Sequence, residues 1–293
     1  MTTAATRPVH PDGSDTMALV PFAKQHLEGA LRLSQEMAWT HRLEDWAIAL
    51  ELGQGFVLLD GAGSVIATAA WWAYGEDHAA AGMIIVAKAA QGRGHGARLM
   101  DALLAAAHPR TLTLNATVEG LALYERRGFA RTGVVIQQHQ GIPHGGHQTP
   151  PAGRVRALAA ADAEAIARLD RQATGWDRRP MLSRLIEAGE GHVLLRDGQP
   201  HGYAISRRFG RGHVIGPVVA ESADDARALI EAALARLGPV FVRIDTSATS
   251  QLGDWLEHIG LPLVSDVASM VKGAQIPPPG PARMFALASH SFN

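Results

Sequence analysis

Residues 83–104 read Met-Ile-Ile-Val-Ala-Lys-Ala-Ala-Gln-Gly-Arg-Gly-His-Gly-Ala-Arg-Leu-Met-Asp-Ala-Leu-Leu, and the fold turns on the middle of that stretch, Gln91-Gly92-Arg93-Gly94-His95-Gly96-Ala97. An apolar run, Met83–Ala87, precedes the glycines, and an amphipathic run, Ala97–Leu104, follows them. That order predicts a strand, a glycine-rich turn and a helix. Glycine has no Cβ, so a ligand can approach the backbone closely and positive φ costs little. Backbone N–H groups at the start of the helix converge on one point, and the helix dipole adds partial positive charge there. By its local chemistry the stretch is a cradle for a diphosphate.

Working outward, Ala18–Val20 reads as a short strand, and Lys24–Met37 and Leu43–Leu52 as helices. Gly55–Leu59 and Val65–Trp72 form a hairpin around Gly61 and Gly63, and Ala80–Val86 is the fourth strand. After the glycine loop and its helix come a strand at Thr111–Asn115, a helix at Val118–Arg127 and a strand at Ala130–Gln137. Residues 139–153 hold Gly141, Pro143, Gly145, Gly146, Pro150, Pro151 and Gly153, the composition of a linker. The same order of elements then restarts at Val155 and closes with a strand at Leu263–Val271. A repeat of one α/β unit, a mixed sheet flanked by helices, is the economical explanation. The expected division is a disordered arm at 1–16, one domain at 17–138, the linker at 139–153, a second domain at 154–272 and a tail at 273–293 that packs back on a domain.

The bulk composition narrows the function. The chain has 293 residues, 47% hydrophobic and 19% charged, with a formal net charge of −1 and no cysteine. Such a chain can bury a core without metal or disulfide staples. It lacks the basic footprint of a nucleic-acid binder, and the missing cysteine removes thiolate catalysis and Cys-ligated zinc. Neither a signal peptide nor a membrane-spanning run is read in it, so a cytoplasmic protein with no membrane partner is expected. His139, His144 and His147 fall in the Gly/Pro linker without carboxylate partners, and no metal site is expected there.

Four kinds of glycine loop compete. A dinucleotide-binding loop follows a first strand as G-x-G-x-x-G, whereas this one alternates its glycines and follows a fourth strand. A P-loop needs Gly-Lys-Ser/Thr, which is absent. An adenosylmethionine loop shows G-x-G-x-G but wants acidic residues before it and at the end of the next strand; here Lys88-Ala89-Ala90-Gln91 and Asn115 stand in those places. The fourth reading fits best. Gln91, Gly94 and Gly96 match the Q/R-x-x-G-x-G/A acetyl-CoA motif of the GNAT superfamily of N-acetyltransferases, and Leu123-Tyr124-Glu125-Arg126-Arg127-Gly128-Phe129 matches its second signature, roughly thirty residues on. Residues 17–138 resemble that family, and the duplicated arrangement resembles the bacterial tandem-GNAT proteins of the YitH-like type. The resemblance implies, in each half, a mostly antiparallel sheet splayed between its fourth and fifth strands.

It also implies a chemistry. The diphosphate of acetyl-CoA, the co-substrate, would lie on Arg93, Gly94, His95, Gly96 and Ala97, with Gln91 at the loop's start and the side chains of Arg93 and Arg98 either on the phosphates or in solvent. Backbone groups of Ile85 and Val86 would pair with the pantetheine arm, and Asn115 would touch it if it replaces the family's asparagine, whose own position is Thr117. Tyr124 would give the departing thiolate a proton. The general base stays open among Glu119, on the same helix, Glu76, Asp77, His78 and a water chain. Trp39, His41, Asp45 and Trp46, at the junction of the first two helices, either shape the acceptor pocket or pack in the core; of Trp71 and Trp72, which alternate on a strand, one can face the cleft, and Trp72 is the candidate.

In the second half Glu221-Ser222-Ala223-Asp224-Asp225-Ala226 replaces the glycine loop, and Leu256 stands where the first half has Tyr124. Two aspartates would satisfy the helix dipole themselves and repel a diphosphate. The reading is therefore an N-acetyltransferase with its working site in the first half, moving acetyl directly to a small-molecule primary amine in a ternary complex. The alternatives are a CoA-binding sensor without turnover and an adenosylmethionine-dependent methyltransferase. The acceptor's identity and the oligomeric state are not legible.

Overall fold

The computed structural model describes residues 17–144, 153–275 and 277–293, so the expected N-terminal arm and most of the linker, His147 included, lie outside the described residues. In the first half the order is β1 (Ala18–Pro21), α1 (Leu27–Glu36), α2 (Leu43–Leu52), β2 (Gln54–Leu59), β3 (Val65–Tyr74), β4 (His78–Val86), α3 (His95–Ala107), β5 (Thr111–Ala116), α4 (Leu121–Glu125) and β6 (Ala130–Gly141). The second half repeats it: β7 (Val155–Ala157), α5 (Ala163–Thr174), α6 (Arg179–Glu187), β8 (Gly189–Arg196), β9 (Gln199–Phe209), β10 (Gly212–Ala220), α7 (Ala223–Leu237), β11 (Val242–Ser247), α8 (Gly253–His258) and β12 (Leu263–Lys272). A thirteenth strand, β13 (Arg283–Ala286), follows in the tail.

The apolar periodicity decides which face each helix covers. On α3, Leu99, Met100, Leu103 and Ala107 recur at helical spacing and are buried with Leu58, Trp71 and Leu112 on one face of the sheet. On the opposite face, α1 and α2 bring Leu33, Trp46 and Ile48 against Val57, Trp72 and Ile85. With helices on both faces, successive residues of β3 are buried alike, and Trp71 and Trp72 are 5% and 1% exposed.

The two halves share one sheet, in the order β1-β2-β3-β4-β5-β12-β6-β11-β10-β9-β8-β7. The last strand of each half has crossed to the other: β12 pairs with β5, β6 pairs with β11, and β6 and β12 pair with each other, all antiparallel. The expected boundary at residue 138 therefore falls inside β6, which runs to Gly141 in the middle of the common sheet. His139, expected as a solvated linker residue, is 1% exposed there and faces the Leu261 carbonyl through Nδ1 at 3.0 Å.

Each half is splayed. Parallel β4 and β5 pair only over His78–Ala80 and Thr111–Thr113, and β10 and β11 only over His213–Val214 and Val242–Arg243. The second splay is filled by the tail, since β13 pairs antiparallel with β10 (Val218 with Ala286, Val219 with Met284, Ala220 with Arg283) and the Leu287 N–H donates to the Asp245 carbonyl on β11 at 2.8 Å.

Candidate active site

The glycine loop leaves the open edge of β4 and enters α3 at His95, so that Gly96 and Ala97 already lie in the first helical turn. Gly92 and Gly94 hold φ of +75° and +81°, and a Cβ on either would meet nothing within 4 Å; conformation, not crowding, demands glycine there. Gly94 caps α3 without a side-chain acceptor, and no acidic residue stands in the first turn, so the leading N–H groups have no side chain to answer them. The Gln91 amide folds back to donate to the Val86 carbonyl at 3.0 Å, Arg98 reaches the Met17 carbonyl at 3.3 Å, and Arg93 is exposed at the loop's tip. The matching corner of the second half is closed. Ser222 caps α7 by accepting the Asp225 N–H at 3.2 Å, and the Asp225 carboxylate is bound by Arg154 and Arg196 at 2.8 and 3.1 Å.

Within the splay, β4 carries a bulge. Its register with β3 shifts between Thr68 and Ala70, Met83 takes φ of +51°, and the Met83 carbonyl turns aside to accept the Thr68 hydroxyl at 2.7 Å. A left-handed β-strand methionine is strained, and such strain gathers at sites where a backbone group must be aimed. The sequence does hold one signal for it, Gly82 inside a strand pattern.

Met83 and Ile84 line one wall of a cavity of about 600 Å³, and Tyr124 lines another. The Tyr124 ring is buried edge-on to Phe129, at 6.0 Å between centroids, and burial pushes its hydroxyl up to about 12. The ring lies across Gly120, where a Cβ would come within 2.7 Å of Cε2; this glycine, which sequence reasoning passed over, makes room for the tyrosine. Glu119 also lines the cavity, but it stands before α4, not on it as expected, because Thr117–Gly120 form a turn. Its own N–H and the Thr117 hydroxyl hold its exposed carboxyl below the usual range, which makes it a weak base.

The expected acceptor residues divide. Trp39 and His41 line the cavity, with ring centroids 5.7 Å apart. Asp45 does not. It is 4% exposed, accepts the backbone and guanidinium of Arg42 at 2.9 and 2.8 Å, and takes the Gly210 N–H at 2.9 Å, so it bolts α2 to the β9–β10 turn. Trp72 does not either; its indole N–H donates to the Ala49 carbonyl at 2.8 Å and its ring packs edge-on against Phe292. Asn115 faces the cavity, but its amide already donates to the His290 carbonyl at 2.9 Å and to the side chain of Asn293.

The remaining walls come from the exchanged strand β6, the second half and the tail. Gln138 and Gln140 on β6, Arg243 on β11, Asp266 on β12 and Ser289–Ser291 complete the cavity. Arg243 is chelated by the buried Asp245 through Nε and Nη2, both at 2.8 Å. Burial and the Arg243 charge lower His41 and His290 to about 4, against the opposing pull of Asp45 on the first and Asp245 on the second, so both imidazoles are neutral near pH 7. From the second half, Arg211 reaches the cavity, whereas Tyr203 and Arg207 are buried in the frame. No group of three His, Asp or Glu among the described residues is placed to hold a metal, and no described helix is long and apolar enough to cross a membrane.

Comparison with known proteins agrees with this geometry. Residues 32–147 and 166–286 each match a family model described as an acetyltransferase (GNAT) domain. The chain is 28% identical over 249 residues to the uncharacterized N-acetyltransferase YitH of Bacillus subtilis, covering 83% of this chain and 86% of that one. A Pyrococcus horikoshii protein described as an acetyltransferase superposes with a TM-score of 0.78 at 17% identity, over 98% of this chain and all of that one. A tandem GNAT protein from the clavulanic acid biosynthesis pathway superposes with a TM-score of 0.66 at 16% identity, over 89% of this chain and all of its own.

Proposed function

The chain belongs to the GNAT acetyltransferases as two such domains in tandem, and on that premise we propose that its first half moves acetyl from acetyl-CoA to a small-molecule primary amine. The observation that carries this is the uncapped, glycine-led start of α3, reached along the open edge of β4 from the bulge that faces Tyr124 across the cavity. The fit to the diphosphate rests on the left-handed glycines and the open space above them. Acetyl-CoA supplies the activated acyl group; the chain's residues bind, aim and hold protons.

The N–H groups of residues 93–97 and the α3 dipole receive the diphosphate. The open edge of β4 at Ile85 and Val86 runs beside the pantetheine arm, although the Val86 carbonyl is already engaged by Gln91. At the bulge around Met83, whose residues line the cavity, a backbone N–H would stabilise the carbonyl oxygen as negative charge grows on it. The amine nitrogen attacks the carbonyl carbon, the carbon–sulfur bond breaks, and the Tyr124 hydroxyl gives its proton to the sulfur and regains one from water. Burial keeps that hydroxyl protonated across the physiological range, so the proton is in place when the thiolate forms. Glu119 draws the ammonium form to the cavity mouth, and the amine proton leaves through water.

Isothermal titration tests the cradle: acetyl-CoA and desulfo-CoA bind, and adenosylmethionine does not. Binding of adenosylmethionine alone would overturn the proposal. Release of CoA thiol across a panel of amines tests turnover. Acetyl-CoA binding without thiol release from any amine identifies a sensor instead.

A further inference from the structure

The bulge in β4 is held by one side chain. Thr68 faces Ile85 across β3 and β4, and Ala70 faces Gly82, so Ala69 alone stands opposite both Met83 and Ile84. Strand β5 gives these two residues no partner either, since its pairing with β4 ends at Ala80 and Thr113. Met83 carries the strain, at φ +51°. Left-handed backbone is costly for a residue with a Cβ, so a contact must hold it there. The Thr68 hydroxyl is that contact. Thr68 is fully buried, on the face of β3 that Ala70 and Trp72 turn to α1 and α2. Its hydroxyl has one hydrogen-bond acceptor among the described residues, the Met83 carbonyl at 2.7 Å. A hydroxyl is unfavourable in apolar surroundings unless it is bonded, and here the strained carbonyl is what bonds it.

That bond fixes more than the carbonyl. The Met83–Ile84 peptide is trans, so the Met83 carbonyl and the Ile84 N–H point to opposite sides of one rigid plane. With the carbonyl drawn to Thr68 on β3, the Ile84 N–H is turned away from β3. It faces the side where β5 has parted from β4 and where Met83 and Ile84 line the cavity.

The second half repeats the bulge without either group. There Ala204 faces Val218 and Ser206 faces Ile215, so Ile205 alone stands opposite Gly216 and Pro217. Matched position by position, Ala204 stands where Thr68 does and Pro217 where Ile84 does. Alanine has no hydroxyl, and proline has no N–H. The half whose splay is filled by β13 thus lacks the hydroxyl and the N–H together, and the half that opens on the cavity has both. A bulge that served only to bend the sheet would need neither.

We propose that Thr68 is a positioning residue, whose hydroxyl holds the Met83–Ile84 peptide so that the Ile84 N–H meets the thioester carbonyl oxygen of bound acetyl-CoA. The inference rests on the acetyl-transfer reading. It separates binding from activation: the diphosphate cradle at residues 93–97 is untouched, and what changes is the donor aimed at the growing oxyanion.

The test uses the full chain with acetyl-CoA isotope-labelled at its thioester carbonyl carbon. Infrared difference spectra read the bound carbonyl, and isothermal titration reads affinity. Thr68→Val keeps the side chain's shape and removes the hydroxyl. Its bound carbonyl is expected to absorb at higher frequency than the parent's, because a hydrogen bond to the oxygen weakens the C=O bond, with the acetyl-CoA Kd unchanged. Thr68→Ser, which keeps the hydroxyl, is expected to return the band to the parent's position. A merely structural threonine would lower Tm in both variants and leave the bound band where it was. A second measurement needs no variant. Exchange of the Ile84 amide in the parent is expected to slow about tenfold with acetyl-CoA, the worth of one hydrogen bond, and not with CoA, which lacks the carbonyl. An unmoved band in Thr68→Val, a Thr68→Ser band that stays with valine's, or equal exchange with acetyl-CoA and CoA overturns the inference while acetyl-CoA binding stands. Failure of the parent to bind acetyl-CoA overturns the transfer reading, and the inference falls with it.

Discussion

Replacing Gly120 by alanine moves Tyr124 without touching its chemistry. Gly120 sits at φ −80° and ψ −25°, so alanine fits the backbone there. The new Cβ would stand 2.7 Å from Tyr124 Cε2, whereas ordinary contact begins at 3.4 Å, so the ring must give by about 0.7 Å. It cannot swing freely, being buried against Phe129. Misplacement of a reacting group by ~1 Å costs on the order of 10²-fold in rate, so a fall in kcat of roughly ten- to a hundredfold is expected, or about 1.4–2.7 kcal/mol of barrier. Overpacking adds about 1–3 kcal/mol of destabilisation, visible as a lower Tm. The assay is the rate of CoA thiol release, with isothermal titration showing an unchanged acetyl-CoA Kd because the glycine loop is not touched. Tyr124→Phe removes the hydroxyl and keeps the ring. If Gly120 acts through that hydroxyl, the double variant is no slower than Tyr124→Phe alone. A Gly120→Ala enzyme within twofold of the parent, or two losses that simply add, would refute the reasoning.

Three further outcomes follow from the geometry. Asp45→Ala leaves Arg42 and the Gly210 N–H without their acceptor and the buried Arg207 without a nearby counter-charge; a loss of about 2–4 kcal/mol is expected in urea unfolding, with acetyl-CoA affinity unchanged. Gly94→Ala forces a Cβ into left-handed backbone at φ +81°; it should cost about 1–2 kcal/mol of stability and weaken acetyl-CoA binding, and unchanged titration curves would remove the loop from the site. Acid should destabilise the protein through His41 and His290, whose folded values near 4 lie below the ordinary 6.5. Their stabilising contribution is complete above pH 6.5 and is lost as pH falls from there towards 4, to a ceiling of roughly 3 kcal/mol each. Thermal melts of His290→Gln should show a shallower fall over that window, and equal slopes would refute the assignment.

What could be read in advance was what is local. Helix α2 runs from Leu43 to Leu52 as its apolar spacing predicts, and the glycine loop, the hairpin of β2 and β3 and the acidic first turn of α7 all follow from neighbours in sequence. What could not be read was pairing. The residues of β6 carry no mark that their partners are β11 and β12, because a strand's alternation specifies a face and not a neighbour. The same blindness hid β13, whose Met284-Phe285-Ala286 is apolar enough for any edge. The places of Asp45 and Trp72 are illegible for a related reason. A carboxylate or an indole suits an ammonium pocket and a buried frame equally by type, and only the Gly210 N–H and the Ala49 carbonyl, distant in sequence, decide between them. Glu119 fell off its helix because the turn at Thr117–Gly120 precedes α4.

The filling of the second half's splay and the walling of the first half's cavity are one structural feature. A splay exposes the backbone edges of two strands, and in the first half that opening faces the cavity. In the second half the corresponding stretch of β10, Val218–Ala220, is fully buried. Left unpaired, its N–H and carbonyl groups would each cost about 1–3 kcal/mol. Once Ser222 capped α7 and Asp225 was tied to Arg154 and Arg196, no anion could be held there to bring a ligand strand into the gap. The chain supplies its own strand instead, and β13 satisfies β10. The residues that follow then have one direction to go, past Asp245 and across Gly82 and Asn115 into the first half's cleft, where Ser291 packs against the Gly82 backbone and the His290 carbonyl takes the Asn115 amide. Asn115, expected to touch the pantetheine arm, thus anchors a wall of the cavity. With β6 and β12 exchanged as well, neither half contains all of its own sheet, and the cavity is a property of the pair.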